Sequence, residues 1–139
     1  MHLTARYANW RDEYESRLKT PEQAVEIVQE GDLVAITILC SAPLVNAFVE
    51  RARKLGRVDF RTLAPNNADL FNPEIVKGEK EIEIFIGDGM RAAHDSKVAT
   101  YLPNTFMLGM KAFDAGREEA RMPDVFLTPC SVPNEQGYV

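Results

Sequence analysis

The hydrophobic residues of this chain follow two patterns, one typical of helices and the other of strands that are buried on both faces. Apolar positions three and four residues apart, followed by helix-ending residues, predict helices over residues 10–19, 21–30, 44–55, 74–77, 91–100 and 108–120. A continuous apolar run rich in β-branched residues predicts a strand over residues 33–39. Shorter runs, closed by Pro65, Gly87 and Pro129, predict strands over residues 58–64, 82–86 and 124–128. Because the strands alternate with helices, we predict an α/β domain with a mostly parallel open sheet and helices on both faces.

The helix that follows Thr20 has the clearest boundary signals. Thr20 is placed to cap it, Pro21 stands in the first turn where no amide hydrogen is needed, and Gln23 completes a capping box. Gly31 is placed to end it. Its predicted buried face consists of Ala24, Val25, Ile27 and Val28.

The chain is short enough for one domain and long enough for a core. Its 139 residues weigh 15.6 kDa, and a folded chain of that mass buries about two thirds of the surface that it exposes when unfolded. No repeat or linker divides it, so we expect a single domain over residues 1–139. Tyr138 and Val139 look like the start of another strand, so we expect that domain to be incomplete at its carboxyl terminus and to be one portion of a larger or split protein.

The charge balance excludes several partners. Lys and Arg number 16 against 21 for Asp and Glu, a net charge of -5, whereas general nucleic-acid binding needs a basic surface. No apolar run approaches the roughly 18 residues of a membrane span. The charged N-terminal stretch lacks the hydrophobic segment of a signal peptide. We therefore expect a cytoplasmic protein without nucleic-acid or membrane partners.

Few residues could supply a nucleophile with its base, or a metal site. His2 and His94 are the only histidines, and neither belongs to a recognisable Ser/His or Cys/His arrangement. Cys40 and Cys130 lie 90 residues apart, without the spacing of zinc ligands or of a disulfide framework. We expect both cysteines to be reduced and no metal to be bound.

Three loops follow predicted strands, at the end of a parallel sheet where ligands usually bind. Small residues in loop 40–43 let a ligand approach the backbone, and the next helix offers free amides. Loop 87–91 ends in an arginine that can hold an anion, and loop 131–137 is a polar turn. Together they contribute the candidate substrate-binding residues Ser41, Ala42, Pro43, Arg91, Ser131, Pro133, Asn134 and Gly137.

Each loop also has a purely structural interpretation. Ser41 can simply cap the following helix, and Arg91 can be a solvated residue at a helix start. Residues 131–137 can be an Asn-containing turn whose residues serve backbone geometry. The glycines of loop 87–91 do not have the dinucleotide-binding spacing, since Ala92 stands where the third glycine would be.

Four stretches of the sequence, in order, resemble the N-terminal domain of the acetyl-CoA hydrolase/transferase family, which includes 4-hydroxybutyrate and acetate CoA-transferases. They are residues 10–36, 40–55, 87–93 with residues 101–103 downstream, and 123–139. The last stretch is the most specific, because family members show a V-S-P-P-D-x-x-G-Y or -F pattern there. Ser131, Pro133, Gly137 and Tyr138 match that pattern, whereas Val132 replaces its first proline and Asn134 its aspartate.

The resemblance implies acyl transfer between CoA thioesters and carboxylates. In the family, a glutamate of the C-terminal half attacks the thioester and forms an acyl anhydride, then a glutamyl-CoA thioester. We therefore expect no catalytic nucleophile in this chain, because Glu135 falls on a variable position of the turn. The expected partners are an acyl-CoA, with coenzyme A as substrate and no metal, a small carboxylate, and a C-terminal catalytic chain or half within an oligomer. The isolated chain is expected to be inactive.

Other functions stay open at this point. An acyl-CoA hydrolase of the same family would differ only in that water accepts the acyl group. A non-catalytic module that binds CoA or a phosphorylated metabolite would saturate with its ligand alone, and a structural subunit would only dock a catalytic partner. The sequence does not rank the possible acyl groups.

Overall fold

The computed structural model describes residues 10–63, 67–83, 88–103 and 121–139. Its elements in chain order are α1 (Trp10–Arg17), α2 (Pro21–Ala24) continued by a 3-10 turn (Val25–Ile27), β1 (Leu33–Ile36), α3 (Ala42–Lys54), β2 (Asp59–Thr62), a second 3-10 segment (Ala68–Phe71), β3 (Lys80–Ile82), α4 (Asp88–Asp95), β4 (Thr100–Tyr101) and β5 (Val125–Leu127). The strands form one open sheet in the order β4-β3-β2-β1-β5, and every pairing is parallel. The predicted α/β fold with a parallel sheet is confirmed. The helix predicted over residues 108–120 lies outside the described residues.

The order in which strands are added to the sheet reverses at β1. From β1 the chain adds β2, β3 and β4 outward on one side, and β5 then pairs with the opposite edge of β1. In register, Ala35 of β1 therefore lies between Arg61 of β2 and Phe126 of β5. The central position of β1 explains why all four of its residues are buried, as its apolar run predicts.

Helix α3 covers one face of the sheet. It buries Val45, Phe48, Val49 and Ala52, which are spaced along one side of the helix. These pack in one cluster with strand residues of a single parity: Val34, Ile36, Phe60 and Leu127. Phe48 and Phe60 are fully buried, so this helix–sheet contact is the main core of the described chain.

The opposite face of β2 and β3 carries charged residues. Arg61 Nε donates to Glu81 Oε2 at 2.7 Å and lies 3.8 Å from Glu83 Oε1. Burial raises the pKa of Glu83, and the nearby Arg61 charge opposes that effect. This face is therefore held by ion pairs where a buried strand would ordinarily place apolar side chains.

A second charged network holds the amino ends of the strands together. Asp59 is buried and accepts hydrogen bonds from Arg57 Nε at 3.0 Å, Arg121 at 2.7 Å and the Glu79 backbone N–H at 2.8 Å. Burial alone would raise the pKa of Asp59, but these donors outweigh it and lower the pKa below its usual value. Arg121 also donates to the Gly31 carbonyl at 2.6 Å. The network thus ties the segment before β5 to the starts of β1 and β2.

Two predictions near the start of the sheet are wrong in detail. Ile27, which the helical pattern places on a buried face, is 66% exposed, because the α-helix ends at Ala24 and its 3-10 continuation turns Ile27 toward solvent. The strand predicted over residues 33–39 ends at Ile36, and Ile38 and Leu39 face solvent in a turn. Gly31 has the predicted left-handed backbone, with φ of +91°, but it belongs to the turn before β1.

Several boundaries also move along the chain. The capping box of Thr20 and Gln23 is confirmed, and the predicted helices at residues 10–19 and 44–55 are present as α1 and α3. The short helix predicted over residues 74–77 is absent; the 3-10 segment lies earlier, after its Asn67 cap. β3 begins two residues before the predicted strand, and residues 84–87 lie outside the described chain. Within the predicted helix 91–100, Thr100 is in a strand.

Candidate functional site

The carboxyl ends of β1 and β5 lie side by side at the point where the sheet changes direction. In open parallel sheets, ligands bind at such a point, because the loops that follow the two strands separate and leave a crevice between them. The loops here are residues 37–41 and 128–137, and we call the space between them the switch crevice. It brings the first and third of the predicted ligand loops to one edge of the sheet.

Thr37 joins these two loops. Its backbone N–H donates to the Leu127 carbonyl at 3.0 Å, and its hydroxyl lies 3.3 Å from the same oxygen. The hydroxyl also lies 3.2 Å from Thr128 Oγ1. Thr37 therefore joins the starts of the two loops where they leave the sheet.

The first loop begins with a turn that forces a leucine into an unusual backbone conformation. The Cys40 N–H donates to the Thr37 carbonyl at 3.3 Å and closes a β-turn. Leu39, at the third position of this turn, has φ of +63°, a left-handed value that favours glycine or asparagine there. Its side chain is 75% exposed. Strain of this kind is found preferentially at functional sites.

Helix α3 begins at the switch crevice. Ser41 is its N-cap residue by backbone geometry, and its carbonyl accepts the Val45 N–H at 3.1 Å, but its side chain makes no capping hydrogen bond. Ser41, Ala42 and Pro43 are all exposed. The structural interpretation of Ser41 thus holds for its backbone only, and its hydroxyl is not used for capping. The first-turn amides of a helix carry a partial positive charge that favours an anion.

The buried cysteine beneath this loop is not an activated nucleophile. Burial raises the pKa of Cys40, and a hydrogen bond from the Ser41 backbone only partly offsets that rise. Cys40 is 3% exposed and packs in the main core. Cys130, on the opposite loop, is exposed, and neither cysteine is part of a disulfide.

Asn134 organises the second loop. Its side-chain oxygen accepts the backbone N–H groups of Gln136 at 3.0 Å and Tyr138 at 3.1 Å. Its own N–H donates to the Tyr138 carbonyl at 2.9 Å, and its carbonyl accepts the Gly137 N–H at 3.0 Å. An aspartate oxygen could accept the same bonds, so asparagine preserves this turn. The predicted Asn-containing turn is present.

Gly137 is the point where the second loop contacts the amino-terminal helix. Its φ is +84°, and a Cβ built on it would stand 2.7 Å from Trp10 Cγ. Both the backbone angle and the close approach exclude a larger residue. Ser131 and Val132, earlier in the same loop, are exposed, and Pro133 is half-buried.

Arg91 lies at a different part of the sheet edge. It lies exposed in α4, which follows β3, and β2 separates β3 from β1. Two strand spacings amount to about 10 Å. The structure therefore brings together the candidate residues of the first and third loops, and it leaves Arg91 at some distance from them.

The remaining chemistry of the described chain is sparse. Among the described residues, no three His, Cys, Asp or Glu side chains gather where they could hold a metal ion. His94 is exposed and close to Asp95, and Glu135 is exposed on its turn. A groove of about 420 Å³ between α2 and α3 is lined by mixed charges, among them Glu22, Glu50 and Lys54. Its lining includes Pro43 of the first loop and no residue of the second loop.

No protein-family model matches the chain, and no curated protein matches its sequence. Within the part of the chain that the structure describes, no helix has both the length and the apolar character needed to cross a membrane.

Proposed function

We propose that this chain is the N-terminal portion or subunit of a CoA-transferase, which moves CoA between an acyl-CoA thioester and a carboxylate. The observation that carries this proposal is the convergence of residues 40–43 and 131–137 at the switch crevice. These are stretches through which the sequence resembles the acetyl-CoA hydrolase/transferase family. A single ligand site that draws on both of them is what that activity would require.

In this proposal the chain lines the acyl and carboxylate side of a cleft. The loops over residues 37–43 and 128–134 contain no charged side chain, which suits a thioester or short acyl group better than the CoA phosphates. A carboxylate oxygen would be met by the first-turn amides of α3 and by the Ser41 hydroxyl. Arg91, farther along the sheet edge, would meet an anionic part of the CoA.

The proposed reaction uses a glutamate outside this chain. Its carboxylate attacks the thioester carbonyl and releases CoA thiolate, which leaves a mixed acyl anhydride. The thiolate then attacks the glutamyl carbonyl of the anhydride and releases the first carboxylate, so that CoA is held as a glutamyl thioester. The second carboxylate takes up CoA by the same steps in reverse. The chain described here contributes oxyanion and carboxylate contacts and no bond-forming atom.

Native mass spectrometry of the purified protein, followed by an exchange assay, tests this proposal. We expect a heavier second chain to accompany the 15.6 kDa one and the complex to exchange labelled acetate into acetyl-CoA. Ser41→Ala should lower that exchange roughly tenfold, the effect of losing about 1.4 kcal/mol of hydrogen bonding. Ser96→Ala, which removes a hydroxyl that bonds the Ala92 carbonyl at the end of α4, is the matched control. Turnover that is unchanged by Ser41→Ala would contradict the assigned site.

The same material distinguishes the transferase from a hydrolase and from a binding module. A hydrolase would release free CoA from acetyl-CoA at an undiminished rate when no carboxylate acceptor is added. A binding module would appear without a second chain and would saturate with CoA by itself in calorimetry. Either result would replace the transferase proposal.

A further inference from the structure

We infer that Trp10 is a positioning residue for the switch crevice: its indole ring fixes the turn over residues 134–138 and, through it, the ligand-facing residues 131–133. This inference goes beyond the proposed function, because it concerns how the loop is held whatever ligand the crevice takes. It rests on contacts between α1 and the second loop.

The contact between Trp10 and Gly137 is specific. A Cβ on Gly137 would stand 2.7 Å from Trp10 Cγ, 3.0 Å from Cδ1 and 3.1 Å from Cβ, so the ring lies directly against the glycine backbone. The Arg11 guanidinium lies over the same ring, 5.2 Å from its centroid. The indole thus contacts both a cation of its own helix and the backbone of the turn.

Helix α1 contributes little to the core of the fold. None of its residues is buried, and its surface is dominated by charged side chains, with only Trp10 and Tyr14 among its apolar positions. Removing the indole should therefore affect the loop that it contacts far more than the core under α3. A residue whose removal changes only the loop that it contacts is a positioning residue.

The turn itself transmits the contact to the crevice. Asn134 is bonded to the backbone on both sides of Gly137, so the turn moves as one unit. Residues 128–133 connect that unit to the end of β5. Without the indole, the turn loses its contact with α1, and residues 131–133 gain freedom that a ligand must then remove on binding.

Hydrogen–deuterium exchange by mass spectrometry on the protein as purified, with any partner chain present, tests this inference. In Trp10→Ala, amides in the peptide 131–139 should exchange roughly tenfold faster, whereas peptides from β1 and β2 change less than about twofold. Trp10→Phe should restore most of the protection, because a ring again contacts Gly137. Leu18→Ala, a nearby apolar residue that is 59% exposed, is the matched control.

Two results would overturn the inference. Unchanged exchange at residues 131–139 in Trp10→Ala would mean that the ring does not hold the loop. Faster exchange throughout the chain, with a matching fall in the melting temperature, would make Trp10 an ordinary stabilising residue. Because no CoA compound is used, these results stand apart from the fate of the proposed function.

A ligand readout completes the test and is the only arm that rests on the proposed function. In the acetate exchange assay, Trp10→Ala should raise KM for acetate by a larger factor than it lowers kcat, since the loop must be ordered at binding. Equal KM in the two proteins would contradict a role in positioning the ligand loop.

Discussion

Thr37 and Leu127 are joined twice at the carboxyl ends of β1 and β5, by the Thr37 backbone N–H at 3.0 Å and by its hydroxyl at 3.3 Å from the same carbonyl oxygen. The two strands are distant in sequence, and this pair is where the chain closes the switch crevice. A hydroxyl at this position therefore serves the site as well as the sheet.

Thr37→Val keeps the shape of the side chain and removes its hydroxyl bonds. We expect the free energy of unfolding to fall by about 1 kcal/mol, the net value of such bonds. Urea denaturation measures this change. Thr100→Val, at an exposed position of β4, is the control and should stay within about 0.5 kcal/mol of the wild type. An equal effect of the two substitutions would show that the Thr37 hydroxyl does not join the strands.

The stability of Leu39 variants should depend on how well the new residue tolerates a left-handed backbone. Leu39→Asn should raise the free energy of unfolding by up to about 1 kcal/mol, because asparagine tolerates a left-handed φ and little buried surface is lost. Leu39→Val should lower it, because a β-branched residue is least suited to that conformation. Lys97, whose φ is +61°, is a matched site in another part of the fold, where Lys97→Asn should also stabilise. Equal stabilities for the two Leu39 variants would contradict the strain.

Gly137→Ala should lower the free energy of unfolding by about 1–3 kcal/mol. The new methyl group meets the Trp10 ring, and φ of +84° disfavours alanine. Chemical denaturation followed by the fluorescence of Trp10, the only tryptophan, reports on both the stability and the contact. Gly89→Ala is the opposite case: nothing lies within 4 Å of its added Cβ, and its place in α4 predicts a gain of about 1 kcal/mol. If Gly137→Ala and Gly89→Ala lowered the free energy of unfolding by similar amounts, the contact between Trp10 and Gly137 would be contradicted.

Asp59 should make the protein sensitive to acid. Its pKa in the folded state lies below the ordinary value, so its contribution to stability is complete above about pH 4 and is lost as the pH falls through the folded pKa. Asp59→Asn should cost about 1–3 kcal/mol at neutral pH and should flatten the fall in stability below pH 4. Urea midpoints at neutral and acid pH measure both effects. Glu135→Gln, at an exposed site that forms no ion pair with a described residue, should change neither.

Local chemistry was readable in the sequence, and long-range contacts were not. The capping box at Thr20 involves residues three apart, and the turn at Asn134 involves residues up to four apart, so both followed from short patterns. The end of β1 could not be read from an apolar run, because Ile38 and Leu39 have the same character as the strand before them. What ends the strand is the turn at Thr37 and its bonds to a loop about 90 residues away.

For the candidate site, too, local patterns were predictable from the sequence and long-range contacts were not. The general rule for parallel sheets predicted which loops could hold a ligand, but only the strand order shows that the first and third of them meet and that Arg91 stands apart. Nothing near Trp10 in the sequence indicated its contact with Gly137, since two aromatic residues on a polar helix fit many surfaces. Strand order and such contacts depend on the whole chain, which no short pattern encodes.

The pairing of β1 with β5 determines the stage of folding at which the candidate site forms. Leu33 N–H bonds Asp124 Oδ2 across 91 residues, whereas β1, β2 and β3 are joined by much shorter connections. Because the entropy cost of closing a loop grows with its length, we expect the β1–β3 layer to assemble first and β5 to dock last. Until that late step the switch crevice does not exist. A newly made or partly opened chain would thus keep most of its secondary structure and still lack the candidate site, so that this site is lost before the fold.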